Sequence, residues 1–168
     1  AYRSLTIAYF TFAAGYVLLV FGSSTTSVGM SLAGIALASY ARGLMSPSYP
    51  SLFKRTFEKQ EDFENAFPVN YSINNLGALL GQYLFPMLVM AVGFSGGFMM
   101  SCLMAILAFS IFVFSRNSFV DIGLEIDKDS VSPKNWMAFA TLSFSMIALV
   151  FFMFSNMDQG KNVVYVIG

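Results

Sequence analysis

Residues 97–115 read GFMMSCLMAILAFSIFVFS and are followed at once by Arg116. The run contains no charged residue, and a helix of this length is about 28 Å long at 1.5 Å per residue. The hydrocarbon core of a bilayer is about 30 Å thick, so the stretch reads as a membrane-spanning helix ended by a cation. Similar runs occupy residues 4–22, 28–53, 67–92 and 136–155, which predicts an all-α membrane protein with about five transmembrane helices. Composition agrees. The chain is 57% hydrophobic and 11% charged, against about 45–50% and about 25% in soluble domains. Its 19 Phe and 11 Met supply lipid-facing and helix-packing surface. A net charge of zero argues against nucleic acid as a partner.

The links between the runs divide by charge. Residues 23–27 and 93–96 are short, uncharged and rich in Ser and Gly, whereas 54–64 and 116–134 carry most of the ions. If successive spans alternate in direction, Arg3, Lys54, Arg55, Lys59, Arg116, Lys128 and Lys134 all fall on one side. Lys161 falls on the other, and Arg42 lies within a span. Basic loops stay in the cytoplasm, so 54–64 and 116–134 are expected inside and 23–27 and 93–96 outside. The expected organisation is four helices over 1–115, a cytoplasmic linker over 116–134, and a further helix and the start of another over 135–168. The chain opens directly on apolar sequence and ends on a new apolar run at Val163, which reads as an internal fragment of a longer protein.

Polar residues interrupt the apolar pattern in three places. Arg42 sits near the middle of 28–53. A centrally placed arginine costs at least about 2.5–3.5 kcal/mol on insertion scales, so it should face protein or water. Alternatively the helix ends near Met45 and Arg42 snorkels to the headgroups. The second is the Ser46-Pro47-Ser48-Tyr49-Pro50-Ser51 stretch. It reads either as a plain loop or as an interrupted helix whose freed carbonyls line a cavity. The third is Asn70-Tyr71-Ser72-Ile73-Asn74-Asn75, with Gln82 two turns beyond Asn75. These amides serve either helix–helix hydrogen bonds or a polar substrate. Gly77 and Gly81 have the spacing of a close helix crossing, and packing is the expected role.

The residues offer little for catalysis. Histidine is absent, no span holds an Asp or Glu, and neither a phosphate-binding loop nor a dinucleotide fingerprint occurs. No enzyme activity, metal or cofactor is therefore expected. The one cysteine, Cys102, lies in an apolar run and reads as a small buried hydrophobe.

Gly43-Leu44-Met45-Ser46-Pro47 and Ala66-Phe67-Pro68-Val69-Asn70-Tyr71-Ser72-Ile73-Asn74-Asn75-Leu76-Gly77-Ala78 resemble two helices of the proton-dependent oligopeptide transporters, a branch of the major facilitator superfamily. Gly43, Leu44 and Pro47 match the family's G-x-G-L-F-K-P-N stretch. Phe67, Tyr71, Asn75 and Gly77 match its G-F-S-I-F-Y-x-G-I-N-x-G stretch, and Gly93-Phe94 with Gly97-Phe98 resemble the entry to the next helix. On this register the chain spans helices three to six plus part of an inserted hairpin. Ser46 replaces the family's lysine, Ala41 a glycine and Gln82 a proline, and the acidic E-x-x-E-R motif of the first helix has no counterpart here. The resemblance implies a multi-pass inner-membrane symporter of short peptides or similar zwitterions, coupled to protons. It also implies a substrate site at Arg42, Ser46, Tyr71, Asn75 and Gln82, with Arg42 one turn from the missing lysine. The rival expectations are a major facilitator carrier of another organic solute and a non-transporting scaffold subunit.

Overall fold

The computed structural model describes residues 2–115, 117 and 132–156. Most of the expected linker 116–134, including Arg116 and Lys128, lies outside the described residues, as do Lys161 and the apolar start at Val163. The described residues form helices α1 (Tyr2–Ser24), α2 (Val28–Arg55), α3 (Gln60–Phe114) and α4 (Pro133–Ser155) and contain no strand. All four helices are long and apolar enough to cross a bilayer.

Local chemistry sets the helix ends. Ser27 caps α2 by accepting a bond from Met30 N at 3.4 Å. Ser132 does the same for Asn135 N, and Pro133 occupies the first turn of α4, where its missing donor costs nothing. Helix α4 thus begins just inside the segment expected to be linker. Hydroxyls within the spans turn back on their own helix: Thr6 Oγ1 donates to Tyr2 O and Thr11 Oγ1 to Ile7 O. That satisfies each donor without water.

Helix α3 has 55 residues and would be about 82 Å long if straight, far more than one crossing. It is broken at Gly93, whose φ of 76° and ψ of 174° belong to a region open almost only to glycine. The rings of Phe85 and Phe98 then approach to 5.5 Å, so the two arms turn back on each other. The Ser/Gly link expected over 93–96 is therefore shortened to one residue between two helical arms, 60–92 and 94–114. A Cβ at Gly97 would stand 2.9 Å from Val89 Cγ2 and 3.3 Å from Phe85 Cε2, which shows how tight the hairpin is.

Helix α1 is the centre of the packing. It crosses α2 antiparallel through small residues: a Cβ on Gly15 would lie 2.9 Å from Ala38 N, and one on Gly34 would lie 2.8 Å from Gly15 O. Further along, Gly22 faces Ser31. Without side chains in the way the two backbones approach closely, and dispersion replaces the hydrophobic drive that lipid cannot supply. The second arm of α3 lies along the other side of α1. Tyr2 and Tyr9 pack on Phe112 at 4.9 and 5.1 Å between ring centroids, and the Ser24 and Ser95 hydroxyls share a 2.7 Å bond. Helix α4 contacts α2, where Tyr40 Oη donates to Ser143 Oγ at 2.5 Å. Gly77 and Gly81, expected at a crossing, have open space where a Cβ would be. These glycines therefore bring no backbones together among the described residues.

The surface is far more apolar than that of a water-soluble domain. No described polar or charged residue is buried, while Met90, Phe114 and Phe144 are 87%, 85% and 75% exposed. An apolar surface of this kind requires an apolar cover. Cys102 is buried, as expected of a small hydrophobe. Charge is segregated in space as it is in sequence. Arg3 begins α1, Lys54 and Arg55 end α2, and Lys59 precedes α3, so these four cations share one end of the assembly. The opposite end, around Ser23–Ser27 and Gly93–Gly97, has no charged residue among those described.

Candidate functional site

The two prolines do not end α2, which runs without a break from Val28 to Arg55. Arg42 therefore lies about 20 Å along the axis from either end of the helix. The snorkelling alternative needed a helix that stopped near Met45, and that condition is not met. The continuous helix places Arg42, Ser46, Tyr49 and Pro50 on one face, the last three following Arg42 by four, seven and eight residues.

That face opens on a cavity of about 840 Å³, within the range of small-molecule sites. Leu5 and Tyr9 of α1 form one wall, Arg42, Gly43, Met45, Ser46, Tyr49 and Pro50 of α2 another, and Asn74 of α3 the third. The cavity lies between mid-helix and the basic end. Tyr49 Oη donates to Asn70 Oδ1 at 2.7 Å, linking α2 to the first arm of α3 one turn from Asn74. Toward the basic end Phe53, Phe57 and Phe63 pack edge-on or tilted with centroids 5.2–6.1 Å apart, and Lys54 Nζ sits 5.9 Å from the Phe63 centroid.

The electrostatics of the cavity come down to one fixed charge. Arg42 is exposed to the cavity and makes no hydrogen bond or ion pair with another described residue. The lining contains no carboxylate. The acids nearest in sequence, Glu58 to Glu64, follow the end of α2 at Arg55, which is itself about 20 Å from Arg42 by helical rise. The guanidinium offers five donors and no acceptor. Around it stand the hydroxyls of Tyr9, Ser46 and Tyr49 and the Asn74 amide. An anion with further polar groups fits this arrangement better than a hydrocarbon or a metal ion.

Of the residues nominated from sequence, Arg42 and Ser46 come together in the cavity wall. Tyr71, Asn75 and Gln82 do not join them; all three are exposed on α3 and lie outside the lining. Asn74 occupies the place foreseen for Asn75. One residue of helix is a rotation of about 100°, so the Asn70–Asn74 face meets the cavity and the Tyr71–Asn75–Gln82 face is turned aside. The repeat of Asn70 and Asn74 at one-turn spacing carried that signal in the sequence. Leu5 and Tyr9 carried none, because their place follows from the α1–α2 crossing.

No known family model, curated protein or solved structure matches the chain.

Proposed function

We propose that the chain forms part of a multi-pass inner-membrane secondary transporter of the major facilitator type, moving short peptides or similar zwitterions together with protons. Transport proceeds by alternating access to the Arg42 cavity. The observation that carries this reading is a cation with no counter-ion among the described residues, placed midway along a bilayer-length helix in the wall of a cavity. An arginine at that depth is costly and is retained where it serves a pathway or a substrate. The resemblance of Gly43–Pro47 and Ala66–Ala78 to the peptide transporters supplies the substrate class. In this reading residues 1–115 belong to the N-terminal helical bundle, 116–134 is a cytoplasmic linker, and 135–168 opens an inserted hairpin. The protein moves its substrate unchanged and is not an enzyme.

The basic end faces the cytoplasm in this orientation. With Cys102 replaced by Ala, a cysteine at position 59 in intact cells is expected to resist a membrane-impermeant thiol reagent, while one at position 95 reacts. The reverse pattern would overturn the orientation.

Uptake of a labelled dipeptide into proteoliposomes, with and without an inward proton gradient, tests the function. Gradient-dependent accumulation is expected. Ser46 stands where the peptide transporters have lysine, and this favours a second reading, a major facilitator carrier of another organic solute. That reading is supported by transport of such a solute without transport of the dipeptide. Failure to move either would leave a scaffold, in which the polar residues only join helices.

A further inference from the structure

A proline within a helix has no N–H to give the carbonyl four residues earlier. Pro47 and Pro50 both lie inside α2, so the carbonyls of Gly43 and Ser46 lose their ordinary intrahelical donor. Gly43, Ser46 and Pro50 are all in the cavity wall; Gly43 and Ser46 lie within about one turn of Arg42, and Pro50 about two turns from it. We infer that the two prolines build a second pole into the site, a pair of backbone acceptors that receives the ammonium group of the same ligand whose carboxylate rests on Arg42. The inference rests on the reading of Arg42 as the carboxylate anchor and extends it to a ligand with a free amino group.

The chemistry favours carbonyls over a carboxylate for this pole. A fixed Asp or Glu within a turn of Arg42 would pair with the guanidinium and cancel the charge that attracts the ligand. Carbonyl dipoles accept hydrogen bonds from an ammonium group and leave the arginine unpaired. The Tyr9 and Tyr49 hydroxyls in the same wall can accept as well as donate. The cavity then has a cationic pole and a neutral accepting pole, matching a short zwitterion end to end. The prolines achieve this without interrupting the helix, which keeps both poles on one rigid element.

Alanine at either proline position restores the missing N–H while removing no polar atom. The test measures binding to the full-length protein in lipid nanodiscs with three probes: alanyl-alanine, its N-acetyl derivative and its C-terminal amide. The wild-type protein should bind alanyl-alanine about tenfold more tightly than the N-acetyl form, as expected for loss of a hydrogen bond to a charged group. Pro47→Ala combined with Pro50→Ala should weaken alanyl-alanine about tenfold and leave the N-acetyl form unchanged, so that the preference disappears. Pro68→Ala, the same exchange in α3 away from the cavity, should keep the preference. If the wild type rejects only the amide and binds the free and acetylated peptides equally, the accepting pole falls and the Arg42 anchor stands. A double variant that keeps the full preference also overturns the pole. Should the wild type bind none of the three, both readings fail.

Discussion

Uptake of a free-carboxylate dipeptide should be abolished by Arg42→Ala, a loss of at least about 30-fold, while the protein still inserts and folds. Truncating one member of a desolvated, hydrogen-bonded charge pair costs about 2–5 kcal/mol, and the lower figure alone is about 30-fold. Folding is spared because Arg42 bonds to no described side chain. Removing it also removes an insertion cost of about 2.5–3.5 kcal/mol. Arginine can hold a carboxylate through two parallel bonds, which lysine cannot copy. Ser46 lies one turn away in the same wall, so Arg42→Ala with Ser46→Lys should recover part of the uptake. Transport at the wild-type rate by Arg42→Ala would make Arg42 a structural residue and remove the anchor from the site.

The second large effect is on the fold. Gly34→Leu should disrupt the α1–α2 crossing, because even its Cβ would lie 2.8 Å from both Gly15 O and Leu19 Cγ. Overpacking costs about 1–3 kcal/mol where neighbours can move. Here a backbone carbonyl is in the way, and the cost should reach or exceed the upper figure. Thermal unfolding in detergent should show a marked loss of stability. Gly29→Ala, at the start of the same helix with nothing within 4 Å of the added methyl, should change stability by no more than about 0.5 kcal/mol. Equal melting of wild type and Gly34→Leu would mean that the crossing is not where the structure puts it.

These two predictions also mark what could and could not be read from the sequence. Bilayer-length apolar runs and the clustering of Arg3, Lys54, Arg55 and Lys59 are properties of the chain alone, and both appear in the structure. The choice of glycines was not legible in the same way. Gly77 and Gly81 have the spacing of a crossing, yet the crossing forms at Gly15 and Gly34, because spacing within one helix says nothing about which partner approaches. The course of α2 was equally open, since two prolines three residues apart suit a loop and a helix alike. Once the helix is seen to continue, Arg42 and Ser46 fall on the cavity together. On α3 the amide-rich turn was visible, but its rotation was not. A shift of about 100° exchanges Asn75 for Asn74, and only contact with α2, through Tyr49 and Asn70, fixes that angle.

The central claim is that the middle of α2 faces a water-filled binding cavity rather than lipid or packed protein. It can be tested at Ser46, which lines that cavity, as Ser46→Cys in a background where the buried Cys102 is replaced by Ala. A membrane-impermeant thiol reagent applied to inverted vesicles is the probe, with a cysteine at the highly exposed Met90 as the lipid-facing comparison. The expected result is rapid modification at position 46, slowed by a dipeptide with a free carboxylate and not by its amide, with little reaction at position 90. A cysteine at position 46 as unreactive as that at position 90, or one equally reactive with and without the dipeptide, would contradict it.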